Sequence, residues 1–267
     1  MLRTRGLTKD FGGLTAVDSV DFELASELTS LIGPNGAGKT TFFNLLTGVL
    51  EPTAGSVELR EGDDWVDITD AAPHETAQRG IHRSYQVTNV FPNSSVLENV
   101  RIAEQAAGED SHAIWRNVDY FEKYTERAYS RLDRVGLADR AADDASTLSH
   151  GAKRKLEVAI ALAGDPSVLL LDEPNAGVSS ESVDEVRSLV EDVAADHAVL
   201  LVEHNMDIVM DVSERVVVLH QGRVIADGEP AAVRADPDVQ SAYLGGYEPG
   251  DLDDAATDET DAGEGAA

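Results

Sequence analysis

The spacing of apolar positions changes several times along the chain. Val20, Phe22 and Leu24 alternate with polar neighbours, which predicts a half-buried strand over residues 16–24. An earlier strand over residues 2–7 is separated from it by the turn residues Gly12-Gly13. Residues 28–32, and the apolar runs at 168–171 and 198–202, have the length of buried strands. Hairpins are predicted at 56–60 with 65–68, around Gly62-Asp63-Asp64, and at 216–226, turning at Gln221-Gly222. A strand is also expected at Arg83-Ser84-Tyr85. Helical spacing predicts helices over 39–50, 149–163, 180–195 and 206–212, with Pro73 in the first turn of a short one. Ser95-Val96-Leu97-Glu98 reads as a capping box opening a helix towards Ala107. Residues 112–135 continue helical, with Ile114, Val118, Phe121, Tyr124 and Ala128 on the apolar side.

Alternating strands and helices imply an α/β fold with a mainly parallel sheet covered on both faces. The helical stretch over 92–147 interrupts that alternation and is a candidate subdomain. From Glu248 onward the chain holds only acids, Gly, Ala, Thr, Pro and one Leu. Such a segment has nothing to pack, so a disordered tail is expected.

Composition narrows the picture. A hydrophobic content of 42 % in 267 residues is enough for a sizeable core. Fifty acids face 21 bases, for a formal charge of -29, and without the last twenty residues the ratio is still 42 to 21. The acidity is therefore spread along the chain. It argues against nucleic acid or anionic lipid as a main partner, because both require dense Lys and Arg. Only five of the bases are Lys. Charge of this density repels itself in dilute buffer and is screened in roughly molar salt, where the Debye length is about 3 Å. A salt-adapted cytoplasm is one reading; a merely acidic protein is the other. Absence of cysteine excludes disulfides, thiolate metal sites and a Cys nucleophile. The first residues, MLRTRGLTKD, contain no apolar signal, and no run approaches the roughly 18 residues of a membrane span. A cytoplasmic protein is expected.

One segment carries specific chemistry. Gly33-Pro34-Asn35-Gly36-Ala37-Gly38-Lys39-Thr40 fits G-x-x-x-x-G-K-[ST] at every fixed position, between a buried strand and a helix. The glycines let backbone N–H groups turn inward as an anion nest, and the positive end of the helix faces the same spot. Lys39 would reach the outer phosphates of a nucleotide, and the Thr40 hydroxyl could ligate Mg2+.

Further motifs follow in chain order. Gln86 follows Arg83-Ser84-Tyr85. Leu148-Ser149-His150-Gly151 opens a helix. Val168 to Leu171 runs into Asp172-Glu173, and His204 follows the strand Leu200-Leu201-Val202. Taken singly, Asp172 could be a cap, Glu173 a solvated acid, Gln86 a turn residue and Phe11 a core aromatic. With the phosphate loop, the set resembles the ATP-binding cassette (ABC) ATPases over about residues 2–245. The resemblance implies a P-loop NTPase fold with a RecA-like parallel-sheet core, a small antiparallel β subdomain and an inserted helical subdomain. The β subdomain and the first part of the core would span 1–86, the helical subdomain 87–150, and the second part of the core, with a C-terminal hairpin and helix, 151–247, leaving 248–267 as the acidic tail.

It also implies roles. ATP would lie on Gly33, Pro34, Asn35, Gly36, Ala37, Gly38, Lys39, Thr40 and Thr41, with Phe11 stacked on adenine. Mg2+ would be held by Thr40, Gln86 and Asp172. Glu173 would act as general base, with His204 and Gln86 at the γ-phosphate and the water. Ser149 and Gly151 would bind the ATP of a second ATPase subunit, in a head-to-tail homodimer or a pair with a smaller paralogue. Ala152 departs from the polar residue usual at its place.

Phe11 to Val17, Arg83 to Gln86, Leu156-Glu157 and Asp236 to Gly245 together look like the importers of hydrophobic, branched-chain amino acids; within them, the helical stretch between Gln86 and Ser149 is similar to the larger ATPase subunit. Such a subunit sits on the inner face of the membrane and drives two permease subunits through a groove that includes Val90 and Phe91. An extracellular binding protein delivers the cargo. Urea and short-chain amide importers and lipid-linked exporters are near alternatives. A soluble ABC ATPase for DNA repair or translation fits poorly with one cassette and an acidic chain.

Overall fold

The structure, a computed structural model, describes residues 1–84, 90–108, 122–175, 180–203 and 206–244. The chain opens with β1 (Leu2–Asp10), β2 (Thr15–Leu24) and β3 (Leu28–Ile32), then α1 (Lys39–Leu46), the hairpin β4 (Ala54–Glu61) and β5 (Asp64–Asp67), α2 (Pro73–Gln78) and β6 (Ile81–Arg83). Helices α3 (Val96–Ala107), α4 (Glu122–Arg134) and α5 (His150–Ala161) follow. The chain then alternates through β7 (Val168–Asp172), α6 (Ser180–Ala194), β8 (Ala198–Val202) and α7 (Met206–Val212). It continues with the hairpin β9 (Arg215–His220) and β10 (Arg223–Gly228), then α8 (Pro230–Ala235) and α9 (Pro237–Leu244).

These strands make an antiparallel sheet of order β2-β1-β4-β5 and a six-stranded sheet of order β10-β9-β3-β8-β7-β6. In the larger sheet all pairings are parallel except β10 on β9. Strands β3, β7 and β8 are buried at every position, which is why their sequences lack the alternation of β2. Successive side chains still point to opposite faces. Leu169, Leu171, Val199 and Leu201 pack with α3, α4, α5, α6 and α7, while Val168, Leu170, Ala198 and Leu200 pack with α1 and the antiparallel sheet. Truncating a residue such as Leu170, which has no exposed surface, to Ala would cost about 2–5 kcal/mol.

Several predicted elements shift. Helix α1 stops at Leu46 rather than residue 50, because Gly48, just past the C-cap Thr47, takes the left-handed conformation (φ +69°) and its N–H donates to the Leu45 carbonyl (3.2 Å). The expected strand at 83–85 lies earlier, at β6, paired with β7 through Ile81, His82 and Arg83; Tyr85 lies outside the described residues. His82 ties β6 into place, its ring nitrogens 2.8 Å from the Ala161 carbonyl and 3.1 Å from that of Ala77. At α3 the Ser95 hydroxyl accepts from the Glu98 N–H (3.1 Å), but the Glu98 carboxylate takes Arg101 (2.8 Å) instead of turning back to Ser95. Of the helix expected over 112–135, α4 is described, and Ile114, Val118 and Phe121 lie outside the described residues. Tyr124 and Ala128 are buried as expected. The tail beyond residue 247 also lies outside them.

Parallel packing carries the carboxyl ends of β3, β8 and β7 to one edge, where Leu31 pairs with Val202 and Val202 with Asp172. Ligands of open α/β sheets bind at such an edge.

Candidate functional site

The loop after β3 is shaped by what surrounds it. A Cβ on Gly33 (φ +153°) would lie 2.1 Å from the Leu219 carbonyl oxygen, and one on Gly38 (φ +106°) 2.2 Å from that of Ala16. Only glycine lets the loop press against both neighbours. Within the loop the Ala37 N–H donates to the Pro34 carbonyl (3.1 Å), and the Gly222 N–H donates to Ala37 (2.9 Å). Helix α1 begins at Lys39 with no side-chain cap and no acid in its first turn. Its amino-terminal N–H groups are therefore left for a ligand, with the positive end of the helix dipole behind them.

Lys39 is 8 % exposed. Its ammonium donates to the carbonyls of Gly33 and, at 3.2 Å, Pro34, which folds the side chain over the loop. Burial lowers its pKa below the ordinary lysine value; Glu173 and Asp172 act in the opposite direction but do not cancel it.

An open cavity of about 410 Å³ gathers the sequence-predicted residues. Phe11, Asn35, Gly36, Ala37, Gly38, Lys39, Thr40, Thr41, Asp172 and Glu173 all line it. Gly33 and Pro34 contribute the carbonyls that hold Lys39. Asp172 is buried and ion-paired through Oδ2 with Arg83 (2.6 Å), and its N–H donates to the Ser84 hydroxyl (3.4 Å). Glu173, the next residue, has φ +49°, a left-handed conformation that costs a non-glycine residue of order 1–3 kcal/mol. Its N–H donates to the Val202 carbonyl (2.9 Å), which joins the ends of β7 and β8.

Phe11 is no core aromatic: its ring is 50 % exposed at the rim of the cavity, with the Lys9 ammonium 5.3 Å from its centroid. The turn that presents it is held by Asp10, which accepts from the N–H groups of Gly12 (2.7 Å) and Gly13 (3.0 Å) and from the Thr15 hydroxyl (3.1 Å). Those bonds, the Gly13 N–H first, keep the Asp10 carboxyl below its usual range.

Ser149 and Gly151 do not line this cavity. Ser149 is the N-cap of α5 and accepts from the Ala152 N–H (3.3 Å). Gln86 and His204 lie outside the described residues. Sequence reasoning missed three contacts around the site. Arg83 joins Asp172 to Asn44 of α1; Glu203 accepts from the Asn175 N–H (3.1 Å) and side-chain amide (2.8 Å); and Tyr243 of α9 lies beside the Gly33 backbone. Burial pushes the Tyr243 phenol up to about 12. The only sequence signal was chemical: an arginine in a short strand calls for a carboxylate partner.

Comparison with known proteins decides the family. Residues 17–176 match the family described as ABC transporter, and residues 223–249 match the branched-chain amino acid ATP-binding cassette transporter family. The chain belongs to the ABC transporter family. It is 37 % identical over 255 residues to the high-affinity branched-chain amino acid transport ATP-binding protein BraF of Pseudomonas aeruginosa, covering 92 % of this chain and 98 % of that one. A probable branched-chain amino acid transport ATP-binding protein, LivG of Archaeoglobus fulgidus, is 36 % identical over 253 residues, 92 % of this chain and 95 % of that one. Among solved structures, the ADP conformation of MJ1267, an ATP-binding cassette of an ABC transporter, superposes with a TM-score of 0.77 at 30 % identity, over 92 % of this chain and 98 % of that one. This cassette is thus an ATPase whose hydrolysis is coupled to transport. Among the described residues no helix is long and apolar enough to cross a membrane.

Proposed function

We propose that this cassette powers an importer of branched-chain amino acids, binding ATP at a dimer interface and driving two membrane permease subunits from the inner face of the membrane. The observation that carries the reading is the single cavity holding the phosphate loop, Lys39, Thr40, Asp172 and Glu173. The cargo reading is supported by the names of the relatives and by the match over residues 223–249.

In this reading the loop N–H groups and the α1 dipole hold the β- and γ-phosphates, and Lys39 exchanges its loop carbonyls for phosphate oxygens. Phe11 stacks on the adenine. Glu173 accepts the proton of the attacking water as the water adds to the γ-phosphorus and ADP leaves. Gln86 and His204 hold the water and the γ-phosphate. Ser149 and Gly151 place the α5 amino terminus on the ATP of the second ATPase subunit, a like chain or a paralogue.

The residues fit Mg2+ bound together with ATP. The Thr40 hydroxyl and the Asp172 carboxylate, with Gln86, would hold it through hard oxygen donors. Among the described residues no three His, Asp or Glu side chains cluster as a metal cage, which suits a cation whose remaining ligands are phosphate and water. Bound there, Mg2+ supplies neutralisation of the charge on the phosphate oxygens.

Uptake of labelled leucine by vesicles carrying the cassette, its permeases and the binding protein tests the cargo. ATP-dependent leucine uptake is expected; uptake of urea in its place would overturn it.

A further inference from the structure

Arginine is rarely buried without a partner, and the Arg83 side chain is only 6 % exposed at the end of β6. Its guanidinium works in two directions. Nη2 donates to Asp172 Oδ2 at 2.6 Å, and Nη1 donates to Asn44 Oδ1 at 2.7 Å. The Phe43 ring lies 5.3 Å from the guanidinium carbon. Asp172 ends β7, whereas Phe43 and Asn44 belong to α1, the helix that starts with Lys39 and Thr40. One planar group therefore joins the edge strand, the strand that carries the acidic pair and the helix that carries the phosphate loop.

This arrangement bears on Asp172. A carboxylate has two side-chain torsions to settle, and here one oxygen is fixed by a fork that is itself braced on Asn44. A lysine could supply the charge but not the two fixed directions. Asp172 lines the cavity beside Lys39 and Thr40, so the direction in which it is held matters to whatever binds there. Orienting partners of metal ligands act in this way.

We propose that Arg83 is a positioning residue: it locks the Asp172 carboxylate against α1, so that a divalent cation arriving with ATP meets an already oriented ligand. The proposal rests on the reading of Asp172 as a Mg2+ ligand. Arg83 would act on the cation through Asp172.

The test is binding of a non-hydrolysable ATP analogue by calorimetry, in EDTA and across a Mg2+ series at constant salt. The full chain is compared with Arg83→Met, Arg83→Lys, Asp172→Asn and the Asp172→Asn/Arg83→Met double variant. In the parent, Mg2+ is expected to tighten binding. Arg83→Met should need ~10-fold more Mg2+ for half that gain, the scale found for partners of metal ligands, with affinity in EDTA within about twofold of the parent. Arg83→Lys should fall between the two. In the Asp172→Asn background, Arg83→Met should change the Mg2+ requirement by less than about twofold, since coupled residues are not additive. The double variant removes both charges and guards against misfolding caused by a lone buried carboxylate. The proposal is overturned if Arg83→Met keeps the parent's Mg2+ requirement. A full shift in the Asp172→Asn background, or an equal loss of binding in EDTA, would also overturn it. A parent indifferent to Mg2+ would overturn both the proposal and the metal reading beneath it.

Discussion

Replacing Phe11 by Ala separates recognition of the base from recognition of the phosphates. The ring is 50 % exposed, so its loss removes little buried surface, and a change in folding stability within about 0.5 kcal/mol is expected. What it removes is a platform at the rim of the phosphate cavity, on a turn braced by three hydrogen bonds to Asp10. Stacking of a base on an aromatic side chain is worth about 1–3 kcal/mol by alanine substitution. That range converts to a roughly 5- to 150-fold rise in Kd for ATP. Calorimetry with ATP and with tripolyphosphate gives the contrast, because tripolyphosphate has no base. Phe11→Ala should weaken ATP alone, and Phe11→Trp should restore it. An unchanged ATP affinity, or equal losses for ATP and tripolyphosphate, would refute the stacking role.

Lys39→Ala should abolish measurable nucleotide binding by calorimetry while leaving the fold intact by circular dichroism; unchanged ATP affinity would remove the phosphate-loop assignment. Burial holds Lys39 below its ordinary value of 10.5 in the free protein, and bound phosphate favours the charged form. ATP affinity of the parent should accordingly begin to fall before pH 10.5 as pH rises, and that fall should be absent from any residual binding by Lys39→Ala. The formal charge of -29 leads to a salt requirement: ATPase activity and dimer formation should rise from dilute buffer towards about molar salt, where the Debye length is near 3 Å. Full activity in dilute buffer would show that the acidity is not an adaptation to salt.

Much of this molecule was legible because its signals are local. The run of apolar residues before Asp172-Glu173, and the glycines before Lys39, each state their element and chemistry within a dozen positions. Other features depend on residues far apart in the chain. Arg83 meets Asn44 and Asp172 across 39 and 89 positions, and no periodicity reports such a meeting. Glu203 and Asn175 meet only because β7 and β8 are neighbours in the sheet. Competition explains the capping box. Ser95 and Glu98 have the right spacing, but Arg101, one turn further on, offers the carboxylate a full charge in place of a backbone N–H. Helix α1 ends early because Gly48 turns the chain into the left-handed region at φ +69°, although the apolar pattern continues to Leu50.

Glu173→Gln decides whether ATP is hydrolysed in the cavity between the phosphate loop and the β7 end. The change keeps size and removes the base. In high salt with ATP and Mg2+, the variant should bind ATP as the parent does, release phosphate ~100-fold or more slowly, as for loss of a general base, and sediment as an ATP-dependent dimer. Phosphate release at the parent's rate would contradict the account.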